Sequence, residues 1–367
     1  MAVPLMDLTR QYQSLKSDID AAVQRVFEHS RFILGPEVAD FENAVAQKLG
    51  AKQAVGVASG SDALILGLHA VGVGPQDEVV VPAFSFFASA GSVSRLWAKP
   101  VFCDIRPDDY NMDPEGLEKA ITPKTKAIMP VHLYGQLADM EPIKKTADAH
   151  NIPIVEDAAQ AIGATHKGTV AGRWGHAGCF SFFPTKNLGA AGDGGMVISD
   201  HEDVADRVRL LRTHGARPKY FHKLIGFNSR LDALQAALLG VKLAHLDSWT
   251  ERRRALADVY DRELKGVGDL ILPKRNADGY HIFHQYTLAT EKRDAMRDHL
   301  KSKGIGIEVY YPVPLHLQEC YADLGGKPGD LPVAEKAAQT VFSIPIFPDM
   351  TESEQAEVID AVKSFFA

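Results

Sequence analysis

Short runs that are apolar almost throughout recur along the first half of this chain. They are Ala54-Val55-Gly56-Val57-Ala58, Glu78-Val79-Val80-Val81, Pro100-Val101-Phe102-Cys103, Ala127-Ile128-Met129-Pro130-Val131, Ile152-Pro153-Ile154-Val155 and Gly178 to Phe183. A strand with one wet face alternates polar and apolar residues, so runs without alternation belong to strands covered on both faces. Helical or loop segments separate them, which gives a mostly parallel α/β sheet. Ligands of such sheets sit beyond the carboxyl ends of the strands. At those ends stand Ser61, Phe86, His132, Asp157, Gln160 and Lys186. No G-x-G-x-x-G opens a helix after any of the runs, so a dinucleotide site has weak support.

A chain of 367 residues is long for one domain, and a large domain with a smaller one is the natural division. The division is expected as 1–245, with an N-terminal helix, and 246–367. Leu15, Ile19, Ala22, Val23 and Val26 recur at helical spacing, Ile33-Leu34-Gly35-Pro36 breaks the pattern, and a second helix runs from Val38 to Leu49. Beyond Leu231 one helical stretch is expected to about Leu264. The remainder, with strand-like Gln285-Tyr286-Thr287-Leu288 and Ile305 to Tyr310, reads as a smaller α+β domain.

The formal net charge of −7 argues against a general binder of nucleic acid or membrane surface. The cysteines, Cys103, Cys179 and Cys320, make no disulfide framework and suit a reducing compartment. No apolar stretch reaches the roughly 18 residues of a spanning helix, and Asp7 and Arg10 stand where a signal peptide would have its apolar core. The expectation is a soluble, cytoplasmic protein.

Three stretches carry chemistry. Ser59-Gly60-Ser61-Asp62 joins a strand to a helix start, where free N–H groups and the helix dipole form an anion site, with Gly60 and Ser61 as phosphate ligands. A plain N-cap fits the same tetrapeptide. Ile154 to Gln160 ends an apolar strand in an acid, Asp157, which places a carboxylate at the mouth of the sheet or caps a helix. Lys186 follows the buried run that ends at Phe183, and glycines crowd the turn behind it. Burial lowers a lysine pKa because the charged form loses hydration, which makes the amine a nucleophile for carbonyls. That is what a Schiff-base lysine needs; a surface lysine in a glycine-rich loop is the alternative.

From Arg207 through Arg230 there is no acidic residue, against Arg207, Arg209, Arg212, Arg217, Lys219, Lys223 and Arg230. A local cationic segment in an acidic protein points to a multiply charged anion such as a diphosphate, or to a solvated face. His281 and His284 are spaced H-x-x-H, but without acidic ligands nearby this is poor support for a metal.

In this order and spacing the motifs resemble the PLP-dependent sugar aminotransferases of the DegT/StrS group. The marks are Ala58-Ser59-Gly60-Ser61-Asp62-Ala63-Leu64, Glu156-Asp157-Ala158-Ala159-Gln160 and Ser181-Phe182-Phe183-Pro184-Thr185-Lys186-Asn187-Leu188-Gly189. The likeness spans Phe32 to His316 and implies a fold-type I architecture. It implies that Lys186 binds pyridoxal 5'-phosphate and shuttles the proton, that Asp157 pairs with the pyridine nitrogen, and that Gln160 meets the phenolic oxygen. Gly60, Ser61 and Ser181 would hold the phosphate, Phe86 would stack on the ring, and Asn228 would reach in from the other subunit of a homodimer. Arg230, Tyr311, His316 and Gln318 are the implied sugar contacts. Asn228-Ser229-Arg230-Leu231-Asp232 is similar to members that aminate carbon 3 of a nucleotide-linked keto sugar, with L-glutamate as donor. Carbon-4 members more often have an aromatic residue at Ser229. Tyr310 stands where members using a 3-keto uronate tend to have histidine. Relatives that replace the lysine with histidine are dehydratases, and an idle regulator of the same fold predicts a damaged lysine or aspartate; here both residues are intact.

Overall fold

A computed structural model describes residues 3–367. Asp7 caps the first helix, α1 (Leu8–His29), by accepting from the Thr9 and Arg10 N–H groups. Gly35 and Pro36 open α2 (Pro36–Leu49), and Gly50 closes it in the left-handed region at φ 64°. There follow β1 (Gln53–Val57), α3 (Gly60–Ala70), β2 (Glu78–Pro82), α4 (Ala88–Ser94), β3 (Lys99–Cys103), α5 (Pro114–Ala120), β4 (Thr125–Ile128), α6 (Met140–His150) and β5 (Val155–Asp157). Short strands β6 (Thr165–His166) and β7 (Thr169–Val170) lead to β8 (Ala177–Ser181), β9 (Gly195–Ser199) and α7 (Glu202–Leu211).

The strands β3-β2-β4 are parallel. Parallel bridges Ile128↔Ile154 and Val131↔Asp157 join them to β5. From there β5 pairs parallel with β8, while β9 runs antiparallel between β8 and β1. The order is therefore β3-β2-β4-β5-β8-β9-β1, with β9 alone reversed: the mostly parallel sheet expected, of the fold-type I kind. Successive residues feed opposite cores. Phe180 and Ile198 pack with α2 and α6 through Phe41 and Ile143, while Cys179 and Val197 pack with α3 and α7 through Leu64 and Val208. Both faces being covered, the strands carry no polar alternation.

Leu231 to Leu264 forms two helices, not one: α8 (Ala233–Leu243) and α9 (Leu246–Leu264). The His245 N–H turns back to the Lys242 carbonyl at 3.0 Å, so the chain changes direction there. It passes from α8, packed on α1 and α2, into a third core around Leu256, Tyr260 and Leu264. Strand β10 (Gly279–Tyr280) pairs with β6. The third core is closed by β11 (Tyr286–Ala289), α10 (Arg293–Ser302), β12 (Val341–Ile344) and α12 (Glu352–Phe366), with α11 (Pro332–Thr340) leading into β12.

Ile305 to Tyr310 is not a strand; it makes only isolated bridges, Val3↔Ile305 and Glu308↔Ser343. The cause lies in Gly306, whose N–H goes to the Val3 carbonyl and where a Cβ would stand 2.4 Å from the Leu5 nitrogen. The segment is pressed against the N-terminal chain rather than laddered along β12. Among the described residues no helix is long and apolar enough to cross a membrane.

Candidate active site

The topology aims the carboxyl ends of β1, β2, β5 and β8 at one edge. Past β8 the chain folds on itself: the Phe182 N–H donates to Gly194 O, Lys186 N–H to Phe183 O and Ala190 N–H to Phe182 O, each at 2.8 Å. Gly189 is required in this turn, since a Cβ there would lie 2.2 Å from the Pro184 carbonyl oxygen. Lys186 is only part-exposed. Burial pulls its amine down to about 8, against the opposing pull of the Asp157 carboxylate. Its neighbour Asn187 is clamped to the C-terminal half, Nδ2 donating to Ile282 O at 3.3 Å and Oδ1 lying 2.9 Å from His284 Nδ1.

Consecutive acids at the end of β5 point to opposite faces and do different work. Glu156 is buried and receives His132 Nε2 at 2.8 Å and the N–H groups of Gly172, Trp174 and Gly175 at 2.7 Å. It is fully engaged in holding the loop before β8. Asp157 faces the site. Burial raises its pKa; the Ser89 hydroxyl on Oδ2 at 2.7 Å, the Ala159 N–H on Oδ1 at 3.2 Å and the positive charge of Lys186 oppose that rise. One turn on, Gln160 accepts from the Tyr134 N–H at 2.7 Å and donates from Nε2 to the Tyr311 hydroxyl at 3.1 Å. Phe86 is 56% exposed, its ring 6.0 Å from that of Tyr311.

At the end of β1, Ser59 caps α3 by accepting from the Asp62 N–H at 3.1 Å. A Cβ on Gly60 would lie 2.5 Å from Ser181 Cβ, so the first turn of α3 packs directly against Ser181 at the end of β8. Free N–H groups of a helix start and a hydroxyl thus share one small space.

Comparison with known proteins decides the family. The DegT/DnrJ/EryC1/StrS aminotransferase family model matches residues 13–363. The chain belongs to this family. It is 51% identical, over all of its own length and 99% of the relative's, to a "pleiotropic regulatory protein" of Geobacillus stearothermophilus. A dTDP-3-amino-3,4,6-trideoxy-alpha-D-glucose transaminase of Streptomyces venezuelae is 46% identical over 99% of this chain and 96% of that one. The crystal structure of S. venezuelae DesV in complex with a ketimine intermediate superposes with a TM-score of 0.97 at 46% identity, covering 99% of this chain and 98% of the other.

Other candidate residues of this aminotransferase lie elsewhere. Asn228 and Arg230 line a cleft of about 520 Å³ with Ala58, Ser59, Asp193, Asp232 and Gln235, and neither hydrogen-bonds Lys186, Asp157 or Gln160. His316 is buried with Nε2 3.2 Å from Glu335, and Gln318 donates to the Val313 carbonyl. The histidines of the H-x-x-H pair are packed apart: His281 stacks on Phe283, and His284 serves Asn187. Sequence reasoning missed Ser85 and Ser89, which form a hydroxyl chain onto Asp157. Their four-residue spacing just after β2 was the available signal. It also missed the Asn187–His284 clamp, which joins residues 97 apart and leaves no local mark.

Proposed function

We propose that this chain is a cytoplasmic aminotransferase that moves an amino group from L-glutamate to the keto carbon, position 3 favoured, of a UDP- or dTDP-linked sugar. Such a step serves amino-sugar and surface-polysaccharide synthesis. The observation that carries the reading is a part-buried lysine, its amine pulled down to about 8 by burial, beside a buried aspartate at one mouth of the sheet. Pyridoxal phosphate is the cofactor of the family, and the residues present fit it: an amine, a carboxylate, a helix start without side-chain bulk at Gly60, and an exposed aromatic face at Phe86.

When bound, this cofactor supplies a protonated ring that withdraws electrons from the carbon next to the transferred nitrogen. The chain's own groups divide the remaining work. The Asp157 carboxylate would keep the proton on the ring nitrogen. At ~4 Å and an effective dielectric of about 20 such a pair is worth about 4 kcal/mol. Lys186 Nζ would take a proton at one carbon and return it at another, a task suited to an amine poised near neutrality. The N–H groups at Gly60 and Ser61 and the Ser181 hydroxyl would hold the phosphate, Phe86 would cover the ring, and Gln160 Nε2 would face the phenolic oxygen.

A homodimer with shared sites is supported by the cleft that holds Asn228 and Arg230 apart from Lys186 in the same chain. Exposed Phe87, Trp97, Tyr220, Phe221 and Ile225, up to 93% accessible, are apolar surface of the kind a second copy covers. Ser229 supports the carbon-3 reading over carbon 4: it is buried, its hydroxyl accepting from the Ala58 N–H at 3.3 Å, and an aromatic ring would not fit there unchanged. The regulatory name of one relative favours a second reading, a non-catalytic PLP-fold regulator, but such a protein has no use for an intact Lys186 and Asp157.

The test is a transamination screen of UDP- and dTDP-linked 3-keto and 4-keto sugars with L-glutamate, read by product NMR. An amine-bearing methine at position 3 is expected. An amine at position 4, equal activity on a free sugar, or no turnover on any of them would overturn the reading.

A further inference from the structure

We infer that Ser89 is a positioning residue for Asp157, the terminal donor of a buried two-serine chain that fixes the plane of that carboxylate. The inference rests on the role proposed above for Asp157. Ser89 lies on α4 with no exposed surface, and Ser85, just after β2, is 3% exposed. Ser85 Oγ and Ser89 Oγ are 2.7 Å apart, and Ser89 Oγ is 2.7 Å from Asp157 Oδ2.

The direction of both bonds is forced. An ionised carboxylate only accepts, so Ser89 must spend its single hydrogen on Oδ2. The Ser85 hydroxyl then has to donate to Ser89 Oγ. A hydroxyl that receives one bond while donating another is the stronger donor, and burial keeps water from replacing it. The other oxygen, Oδ1, is held only by the Ala159 N–H at 3.2 Å and keeps acceptor capacity free. Pinning Oδ2 from the side of α4 therefore fixes where Oδ1 aims. The charged and titratable groups facing this carboxylate are Lys186, His132, Tyr311 and Cys179; His132 is already bonded to Glu156, Tyr311 receives the Gln160 amide and Cys179 turns to the Ala63 carbonyl, so Ser89 is the side chain that hydrogen-bonds Asp157 directly.

The two elements concerned are distant in sequence, 68 residues apart, and α4 has no other polar tie to β5. Its Ala90, Gly91 and Val93 are buried, and the Ser92 and Ser94 hydroxyls turn back to the Ser89 and Ala90 carbonyls of the helix itself. Ser89 is thus the one point through which this helix acts on the acid.

The experiment compares Ser89→Ala, Ser89→Thr, Ser85→Ala and Asp157→Asn as holoenzymes. Cofactor affinity, melting temperature, kcat, KM and the pH titration of the bound cofactor's visible band are measured for each. A hydrogen bond to a charged group is worth about one to two powers of ten. Ser89→Ala should therefore lower kcat about 10- to 100-fold and shift the visible titration, with KM and cofactor affinity changed by about 3-fold or less. Ser89→Thr, which keeps the hydroxyl, should recover most of the rate, and Ser85→Ala should show a smaller loss of the same kind. In an Asp157→Asn background Ser89→Ala should add little. Unchanged kcat and an unchanged visible titration in Ser89→Ala, with Asp157→Asn slow, would overturn the inference alone. A Thr variant as slow as Ala would do the same. Wild-type rates in Asp157→Asn would instead remove the reading of Asp157 on which it stands.

Discussion

Two regions of this molecule treat charge in opposite ways. Around β5 and β8 the ionisable groups are buried and over-determined: Asp157 is bonded by Ser89 and Ala159, Glu156 by four donors, and Lys186 is held at a sharp turn with its amine pulled down to about 8. In the acid-free run from Arg207 to Arg230 the cations lie mostly open, and several are spent internally. Arg212 is buried against Glu42 at 2.5 Å and the Gly56 carbonyl, Arg209 meets Gln53 at 2.5 Å, and Arg217 pairs with Asp206, the acid just outside the run. The first region gathers Lys186, Asp157 and Gln160 from within one chain. The second is a surface with cations to spare only at some positions, and its Asn228 and Arg230 look onto a cleft rather than onto Lys186. Desolvation explains the difference, because a buried charge must be partnered group by group while an exposed one is tolerated unpartnered.

The sharpest way to break this contrast is at Lys186. Lys186→Ala should abolish turnover, by about 10⁴-fold or more, because no other amine occupies that position. Borohydride should fix the cofactor to the peptide holding Lys186, and labelling elsewhere would contradict the assignment. The pH dependence has a definite sign. Only the neutral amine attacks a carbonyl, so the rate at which apoprotein captures the cofactor should rise with pH and level off above about 8. A rate still climbing toward pH 10 would show an ordinary lysine. Next in size is Asp157→Asn. Loss of about 4 kcal/mol of charge pairing corresponds to about three powers of ten in proton-removal rate, with weaker effects on cofactor affinity. Near-native single-turnover rates would show that another group protonates the ring.

The exposed region answers to a different experiment. If Asn228 of the partner subunit completes each site, inactive Lys186→Ala and Asn228→Ala proteins should complement on mixing. Random exchange gives heterodimers in about half of the population with one intact site each, hence about a quarter of wild-type activity. No recovery, with subunit exchange confirmed by mass, would place the whole site within one chain.

Much of the buried region was legible in the sequence because its constraints are local. A strand that ends in Asp157, a lysine three residues past Phe183 and a helix that begins at Gly60 each leave a mark within ten residues. The mostly parallel sheet and the covering of both its faces follow from the unbroken apolar runs, whereas the strand order, and the reversal of β9 in it, leave no mark in them. What escaped reading depends on distance or on small steric facts. The break at His245 carries no proline or glycine. The loss of strand at Ile305 to Tyr310 turns on Gly306 meeting the chain at Leu5. Ser89 gained meaning only when α4 was laid against β5. The cationic run was legible as composition but not as free charge, since the pairing of Arg212 with Glu42 spans 170 residues.

That last point yields the smallest and most discriminating prediction. Arg217 and Lys219 both belong to the exposed run, yet Arg217 Nη1 lies 3.0 Å from Asp206 while Lys219 Nζ has no carboxylate partner among the described residues and rests 4.9 Å over the Tyr220 ring. A diphosphate brings about two negative charges, and an unpaired surface cation offers it more than one already neutralised. Lys219→Ala should raise KM for the nucleotide sugar about 3-fold and Arg217→Ala by less than about 2-fold. Both should leave kcat unchanged, because the contact is the same in ground and transition states. Raising salt from about 0.05 to about 0.5 M shortens the screening length several-fold and should erase the difference between the variants. Equal effects of the two substitutions, or effects that persist at high salt, would mean that the run does not act on the substrate as open charge.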